Sequence, residues 1–173
     1  VRRIAGRASL LYPGNTNISC YGFNDGSIAY GPTGGSPVYT YTWTTLDGTG
    51  LTAGAEDQSG LTDGTYNVTI TDINGCSIDT TIILIEPTPL TQTITSPLFP
   101  SGTNISCFGF NDGGIAYGPA GGSPGYTYTW STVGGSGLTA GAQNQSNLTA
   151  GTYTVSITDV NGCSIDTTII LIE

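Results

Sequence analysis

Histidine, lysine and methionine are absent from the 173 residues, and the only basic side chains, Arg2, Arg3 and Arg7, fall within the first seven positions. From Ala8 onward no cation balances the twelve carboxylates, and the formal net charge is −9. Binding to nucleic acid draws on Lys and Arg that displace counterions from phosphates, so the composition argues against a nucleic-acid partner. The same shortage argues against an anionic membrane surface. Without His there is no side chain whose ordinary pKa lies near neutrality, and without Lys there is no Schiff-base nucleophile. The chain reads as a non-enzyme, a glycosidase-type carboxylate pair being the one catalytic route left open. The four cysteines show no CxxC spacing and have no His to complete a zinc site. The longest apolar run, Ile82–Ile85, is far too short to cross a bilayer, so no membrane insertion is expected. Val1–Leu10 lacks the apolar stretch of a signal peptide, and a chain that starts at Val is expected to be a processed product or an excised piece.

What remains is rich in Gly (27 residues), Thr, Tyr, Val and Ile. The last four are strand formers, and their abundance separates this chain from a disordered one of similar Gly content. A self-comparison organises it. Cys20 and Cys107, Trp43 and Trp130, Cys76 and Cys163, and Glu86 and Glu173 are all 87 positions apart. Asn17–Glu86 and Asn104–Glu173 align without gaps and are identical at 55 of 70 positions. Two domains follow, 1–87 and 88–173, with residues 1–10 outside the repeat pattern. Glu86-Pro87-Thr88-Pro89 between them reads as a short, stiff, extended joint. The second copy ends in the phase at which the first meets its joint, as expected of a segment from a longer array.

Within a repeat the period is two. In Tyr39–Thr44 the aromatics share one face and the threonines the other, and Tyr66–Thr71 alternates likewise. Gly26–Tyr30, Ser77–Ile85 and, in the second copy, Leu90–Thr95 are further strands. Asn24-Asp25-Gly26, Gly34-Gly35-Ser36-Pro37, Asp47-Gly48, Asp63-Gly64 and Asn74-Gly75 are turns, and Asn74-Gly75 is the strongest hairpin signal. No window has helical spacing. Six or seven short strands per repeat, with a Trp in mid-domain, predict an all-β chain of two tandem immunoglobulin-like β-sandwich domains. Tyr66, after Leu61–Thr65, stands where a tyrosine corner or a plain core tyrosine belongs.

Asn17–Ile28, Gly34–Pro37 followed by Tyr39–Trp43, Leu61–Tyr66, and Thr71–Cys76 with Glu86-Pro87 after the last strand resemble the SprB repeat. The second copy repeats the pattern, for example in Asn104–Ile115 and Thr158–Cys163. The repeat is found in large gliding-motility adhesins of the Bacteroidota. The resemblance implies a secreted cell-surface protein, of a kind typically exported by the type IX system.

In such a setting one cysteine pair per repeat implies disulfides. Cys20–Cys76 and Cys107–Cys163 are the preferred pairs, each closing a loop of about 57 residues for roughly 4 kcal/mol. Against them, Cys20 precedes the second strand and Cys76 follows the hairpin between the last two, points ~20 Å apart in such a sandwich, whereas a disulfide needs Cα atoms within about 7 Å. The alternative is a staple between repeats, Cys20 with Cys163, with Cys76 and Cys107 left for neighbouring repeats.

Asp72-x-Asn74-Gly75 and Asn24-Asp25-Gly26 share features of calcium loops, which makes Asp25, Asp72, Asp112 and Asp159 the calcium candidates. The competing and preferred reading is that they serve the turns themselves, with no cofactor. Asp79-Thr80-Thr81 and Asp166-Thr167-Thr168 match the O-glycosylation pattern that the resemblance implies, with Thr80 and Thr167 as acceptors; otherwise they are outward-facing strand threonines. The sequons at Asn17, Asn67, Asn104, Asn144 and Asn147 carry little weight in a bacterium. The stripe Tyr39, Tyr41, Trp43 is a sugar-stacking platform or sandwich core, core being preferred.

The expected function is a non-catalytic extracellular structural or adhesive module of a large adhesin or filament. Its expected partners are neighbouring repeats of the same or identical chains and a surface polysaccharide or substratum. The alternative is a carbohydrate-binding accessory module of a secreted enzyme. In a polymerising variant of the first reading, Val1–Leu11 adds as a strand to a neighbouring subunit.

Overall fold

The computed structural model describes residues 5–8 as backbone and 11–173 in full. The chain divides into two compact units, Val1–Thr88 and Pro89–Glu173. The first holds β1 (Ala5–Ala8), β2 (Gly26–Gly31), β3 (Thr40–Thr45), β4 (Gln58–Leu61), β5 (Gly64–Thr71) and β6 (Ser77–Leu84). The second holds β7 (Thr91–Thr95), β8 (Gly113–Ala120), β9 (Thr127–Val133), β10 (Gln145–Leu148), β11 (Gly151–Thr158) and β12 (Ser164–Leu171). Each unit has two antiparallel three-stranded sheets, ordered β1-β2-β4 and β3-β5-β6 in one and β7-β8-β10 and β9-β11-β12 in the other. No helix occurs among the described residues. These are immunoglobulin-like β-sandwiches, as the periodicity predicts.

The alternation in the sequence becomes the two faces of each sheet. Tyr66, Val68 and Ile70 of β5 are buried while Thr65, Asn67 and Thr69 between them are half-buried. Trp43 stands opposite Val68, and Tyr66 opposite Ile82, so one layer of large side chains crosses β3, β5 and β6. Ile28 and Tyr30 of β2 and Leu61 of β4 close the core from the other sheet. Burying such side chains contributes about 1.5–3 kcal/mol each before the cost of ordering the chain.

Two strands fall where periodicity is silent. β4, Gln58-Ser59-Gly60-Leu61, is four residues long with only its ends buried. β1 lies in the segment without a repeat counterpart, yet Ala5 pairs with Gly31 as Thr93 of β7 pairs with Gly118 of β8. The described part of the N-terminal segment thus adds to its own unit's sheet rather than to a neighbouring subunit; residues 1–4, 9 and 10 lie outside the described residues.

Tyr66 is a tyrosine corner. Its ring is fully buried, and its hydroxyl donates to the carbonyl oxygen of Thr62 at 2.9 Å or of Thr49 at 3.0 Å. Tyr153 holds the carbonyls of Thr149 and Ser136 in the same way, at 2.8 and 2.9 Å. Removing the hydroxyl leaves both partly buried carbonyls without their donor. Tyr66→Phe is therefore expected to cost the first unit about 1–3 kcal/mol in a urea titration, and an unchanged midpoint would count against the corner.

Candidate functional site

The two ends of each sandwich carry its cysteines, and short local devices hold them there. At one end, the segment after Thr16 is tied to the close of the last strand. The Asn17 amide donates to the Ile85 carbonyl at 2.7 Å, and the Ile85 amide donates back to Asn17 Oδ1 at 3.0 Å. Asp25 Oδ1 accepts the Ser19 amide at 3.0 Å, and Glu86 Oε2 accepts the Gly22 amide at 2.6 Å. Ile18, fully buried, plugs the core here; a Cβ on Gly26 would lie 2.6 Å from Ile18 Cδ1 and 2.8 Å from the Leu61 carbonyl, so only glycine fits. Cys20 follows this plug. The second unit repeats the arrangement with Asn104, Ile105, Asp112 and Glu173 around Cys107.

At the other end lies the β5–β6 hairpin. Asp72 Oδ1 accepts the amides of Asn74 and Cys76, both at 2.9 Å, and Oδ2 accepts the Ser36 amide at 3.0 Å. One carboxylate thus closes the hairpin and locks it to the Gly34–Pro37 turn. Asp159 does the same for Asn161, Cys163 and Ser123.

This geometry corrects the preferred disulfides. The Cys20 segment is anchored at the end of β6 and Cys76 precedes its start, so eight strand residues separate the two ends, roughly 27 Å. No cysteine pair spans that distance. Cys76 and Cys107 are free, exposed thiols, so neither Cys20–Cys76 nor Cys107–Cys163 is present. Cys20 and Cys163 are the disulfide-bonded cysteines.

The calcium candidates are occupied by the protein's own donors. Asp72 is held below the usual carboxylate range by the amides of Ser36 and Cys76. Asp112 is lowered first by the Ser106 hydroxyl and then by its amide. Burial pushes Asp25 up, but Ser19 and Tyr12 together outweigh it and its pKa also falls. Carboxylate oxygens that face N–H groups are turn acceptors, as the preferred reading has it. No group of three or more His, Cys, Asp or Glu suited to a metal ion occurs among the described residues. Since these pKa values lie below those of the unfolded chain, their stabilisation is complete above about pH 4 and is lost as pH falls through the native values. The melting temperature is expected to hold steady from about pH 7 to 5 and to drop below about pH 4, with a shallower drop in Asp72→Asn. An equal acid slope in that variant would remove Asp72 from the account.

Thr80 and Thr167 do not face outward. Both are half-buried on the inner face of β6 and β12; Thr80 Oγ1 accepts from the Tyr30 hydroxyl at 2.8 Å, and Thr167 meets Gln92. The outward threonines beside them are Thr81 and Thr168. The aromatic stripe is core. Trp43 is buried with its indole N–H on the Ala55 carbonyl at 2.7 Å, while Tyr39 and Tyr41 pack against the same cluster. Burial and then the neighbouring Glu56 push the Tyr41 phenol up to about 12. The aromatics that do reach solvent are Tyr21, Phe23, Phe108 and Phe110, each more than half exposed and set beside Cys20 or Cys107.

One structural residue has no periodic signal at all. Gln58, 2% exposed, accepts the Thr52 amide at 2.7 Å and donates to the carbonyls of Thr52 and Ala55, pinning the 51–57 loop under Trp43. Gln145 repeats it. Its recurrence 87 residues apart is the only trace in the sequence, because a lone Gln reads as surface.

The SprB repeat family model matches the chain twice, at residues 15–48 and 101–135. Both matches run from just before the Asn-Ile-Ser-Cys plug through the Trp-bearing strand. No curated protein matches the chain.

Proposed function

With two stretches matching the SprB repeat, we propose that the chain is a piece of an extracellular adhesin or filament, a non-catalytic module that gives reach and rigidity at a cell surface. The observation that carries this is the pair of near-identical sandwiches in series, each with cysteines at opposite ends. A cysteine at each end serves to join one repeat to the next. We accordingly assign the disulfide as a staple between successive repeats, Cys20 to Cys163; the free thiols of Cys76 and Cys107 support it. Repetition raises the local concentration of any surface contact without new chemistry. The lack of His and Lys, and carboxylates already engaged by backbone amides, support a role without catalysis.

The carbohydrate-module reading loses its platform, since the Tyr39–Trp43 stripe lies against the core. Antibody against the purified chain is expected to label intact, unpermeabilised cells of the source organism. Labelling that appears only after lysis would overturn the surface assignment.

A further inference from the structure

The Asn-Ile-Ser-Cys plug occurs twice with one sequence and one set of backbone ties, yet only one copy of it is covered. Asn17 and Asn104 each exchange hydrogen bonds with the close of the last strand, at Ile85 and Ile172. Asp25 and Asp112 accept the Ser19 and Ser106 amides, and Glu86 and Glu173 accept those of Gly22 and Gly109. In the first unit Ser19 is buried and Cys20 is only 6% exposed. In the second, Ser106 is half-buried and Cys107 is exposed. The ring that follows differs likewise, Tyr21 being 55% exposed and Phe108 88%. Phe110 and Ile172 are exposed at the same end of the second unit. The ties within the plug are shared, so they do not account for the difference. It goes with the sulfur: Cys20 is disulfide-bonded and Cys107 is a free thiol.

A matching thiol stands elsewhere on the chain. The other free cysteine among the described residues is Cys76, exposed after the β5–β6 hairpin. Its counterpart Cys163 is the hairpin cysteine that is bonded. One carboxylate fixes both hairpins alike, Asp72 holding the Asn74 and Cys76 amides and Asp159 those of Asn161 and Cys163. Cys76 is therefore presented as Cys163 is, with the exposed Ile73 at the hairpin tip. The two free thiols are one plug cysteine and one hairpin cysteine, the same two kinds that the staple joins.

We propose that copies of this chain join head to tail, the plug end of one copy's second unit taking up the β5–β6 hairpin of another copy. Phe108 and Phe110 receive the Ile73 tip, and a disulfide from Cys107 to the other copy's Cys76 closes the contact. The inference rests on the Cys20–Cys163 assignment and extends it from repeats of one chain to separate chains. The contact is heterologous, so a free end of each kind remains after each addition. The oxidant is a small disulfide such as glutathione disulfide. The Cys107 thiolate attacks it and releases one glutathione thiol; the Cys76 thiolate of the other copy then attacks the Cys107 sulfur and releases the second. Two protein thiols become one disulfide as one small disulfide becomes two thiols.

The test uses two variants of the intact chain, Cys76→Ser and Cys107→Ser, each with one free thiol. With glutathione disulfide, either alone is expected to stay monomeric on a non-reducing gel. Their equimolar mixture should stop at a dimer, and the parent chain should form a ladder. Peptide mapping of the dimer is expected to recover Cys107 joined to Cys76, with Cys20–Cys163 intact in both partners. Adding Phe108→Ala to the Cys76→Ser chain is expected to slow dimer formation about tenfold, the scale of one anchoring ring, without slowing glutathione addition at Cys107. A mixture that stays monomeric overturns the proposal, as do dimers of either variant alone in equal yield. An unaltered rate with Phe108→Ala overturns the docking surface. A digest without the Cys20–Cys163 peptide overturns the staple on which the proposal rests, and none of these results touches the cell labelling.

Discussion

Pulled from its two ends without reductant, the chain is expected to lengthen by only about 10 nm of contour, against about 60 nm once the disulfide is reduced. The proposed staple from Cys20 to Cys163 shields every residue between them from load, leaving only the terminal stretches to extend. Pairs within each repeat would shield fewer residues and release about 22 nm. The three outcomes are well separated in single-molecule force spectroscopy. In reducing buffer the release is expected in two steps, one for each unit, since each has its own core. For a surface spacer the contrast matters: a stapled array bears tension through covalent bonds and lengthens far less when a sandwich opens.

The second large effect is local. Ile18→Ala is expected to destabilise the first unit by about 3–4 kcal/mol, because the side chain is wholly buried and its site cannot collapse. The wall at Gly26 lies so near that a Cβ there would stand 2.6 Å from Ile18 Cδ1, and backbone on both sides is fixed by the Asn17–Ile85 and Ser19–Asp25 hydrogen bonds. A loss of that size lowers the melting temperature of a domain this small by roughly 12–25 °C. Calorimetry should then show two transitions, the lower from the first unit and the upper at the parent position. A single transition displaced by less than about 4 °C, which is under 1 kcal/mol, would mean that Ile18 is not a plug.

The strands with strict alternation, β3 and β5, are legible from sequence because one face of each is core and the other polar. β4 is not, since two buried residues in four give no period, and its most important residue, Gln58, is polar. β1 escapes for another reason. Its partner is chosen by the open edge of β2, and neither the repeat nor the composition of residues 1–10 announces that edge. The carboxylates are legible as turn residues because Asp before Asn-Gly has few other uses, whereas their exact donors depend on loops brought together by the fold: Ser36 reaches Asp72 from a different turn. The cysteines are the instructive case. Spacing and secretion say that they bond, and simple counting pairs them within a repeat. The strand order already raises a distance objection to such a pair, and the length of β6, with one cysteine held at each end, decides it. The aromatic stripe and the exposed aromatics differ in the same way. Period two puts Tyr41 and Trp43 on one face, but the sheet that covers that face is needed to know that it is core.

The most direct test of the account is the disulfide map of the full chain, digested and analysed under non-reducing conditions after blocking free thiols. The account predicts a peptide in which Cys20 is joined to Cys163, with Cys76 and Cys107 recovered as alkylated thiols. Recovery of Cys20 joined to Cys76, or of Cys107 joined to Cys163, would contradict it.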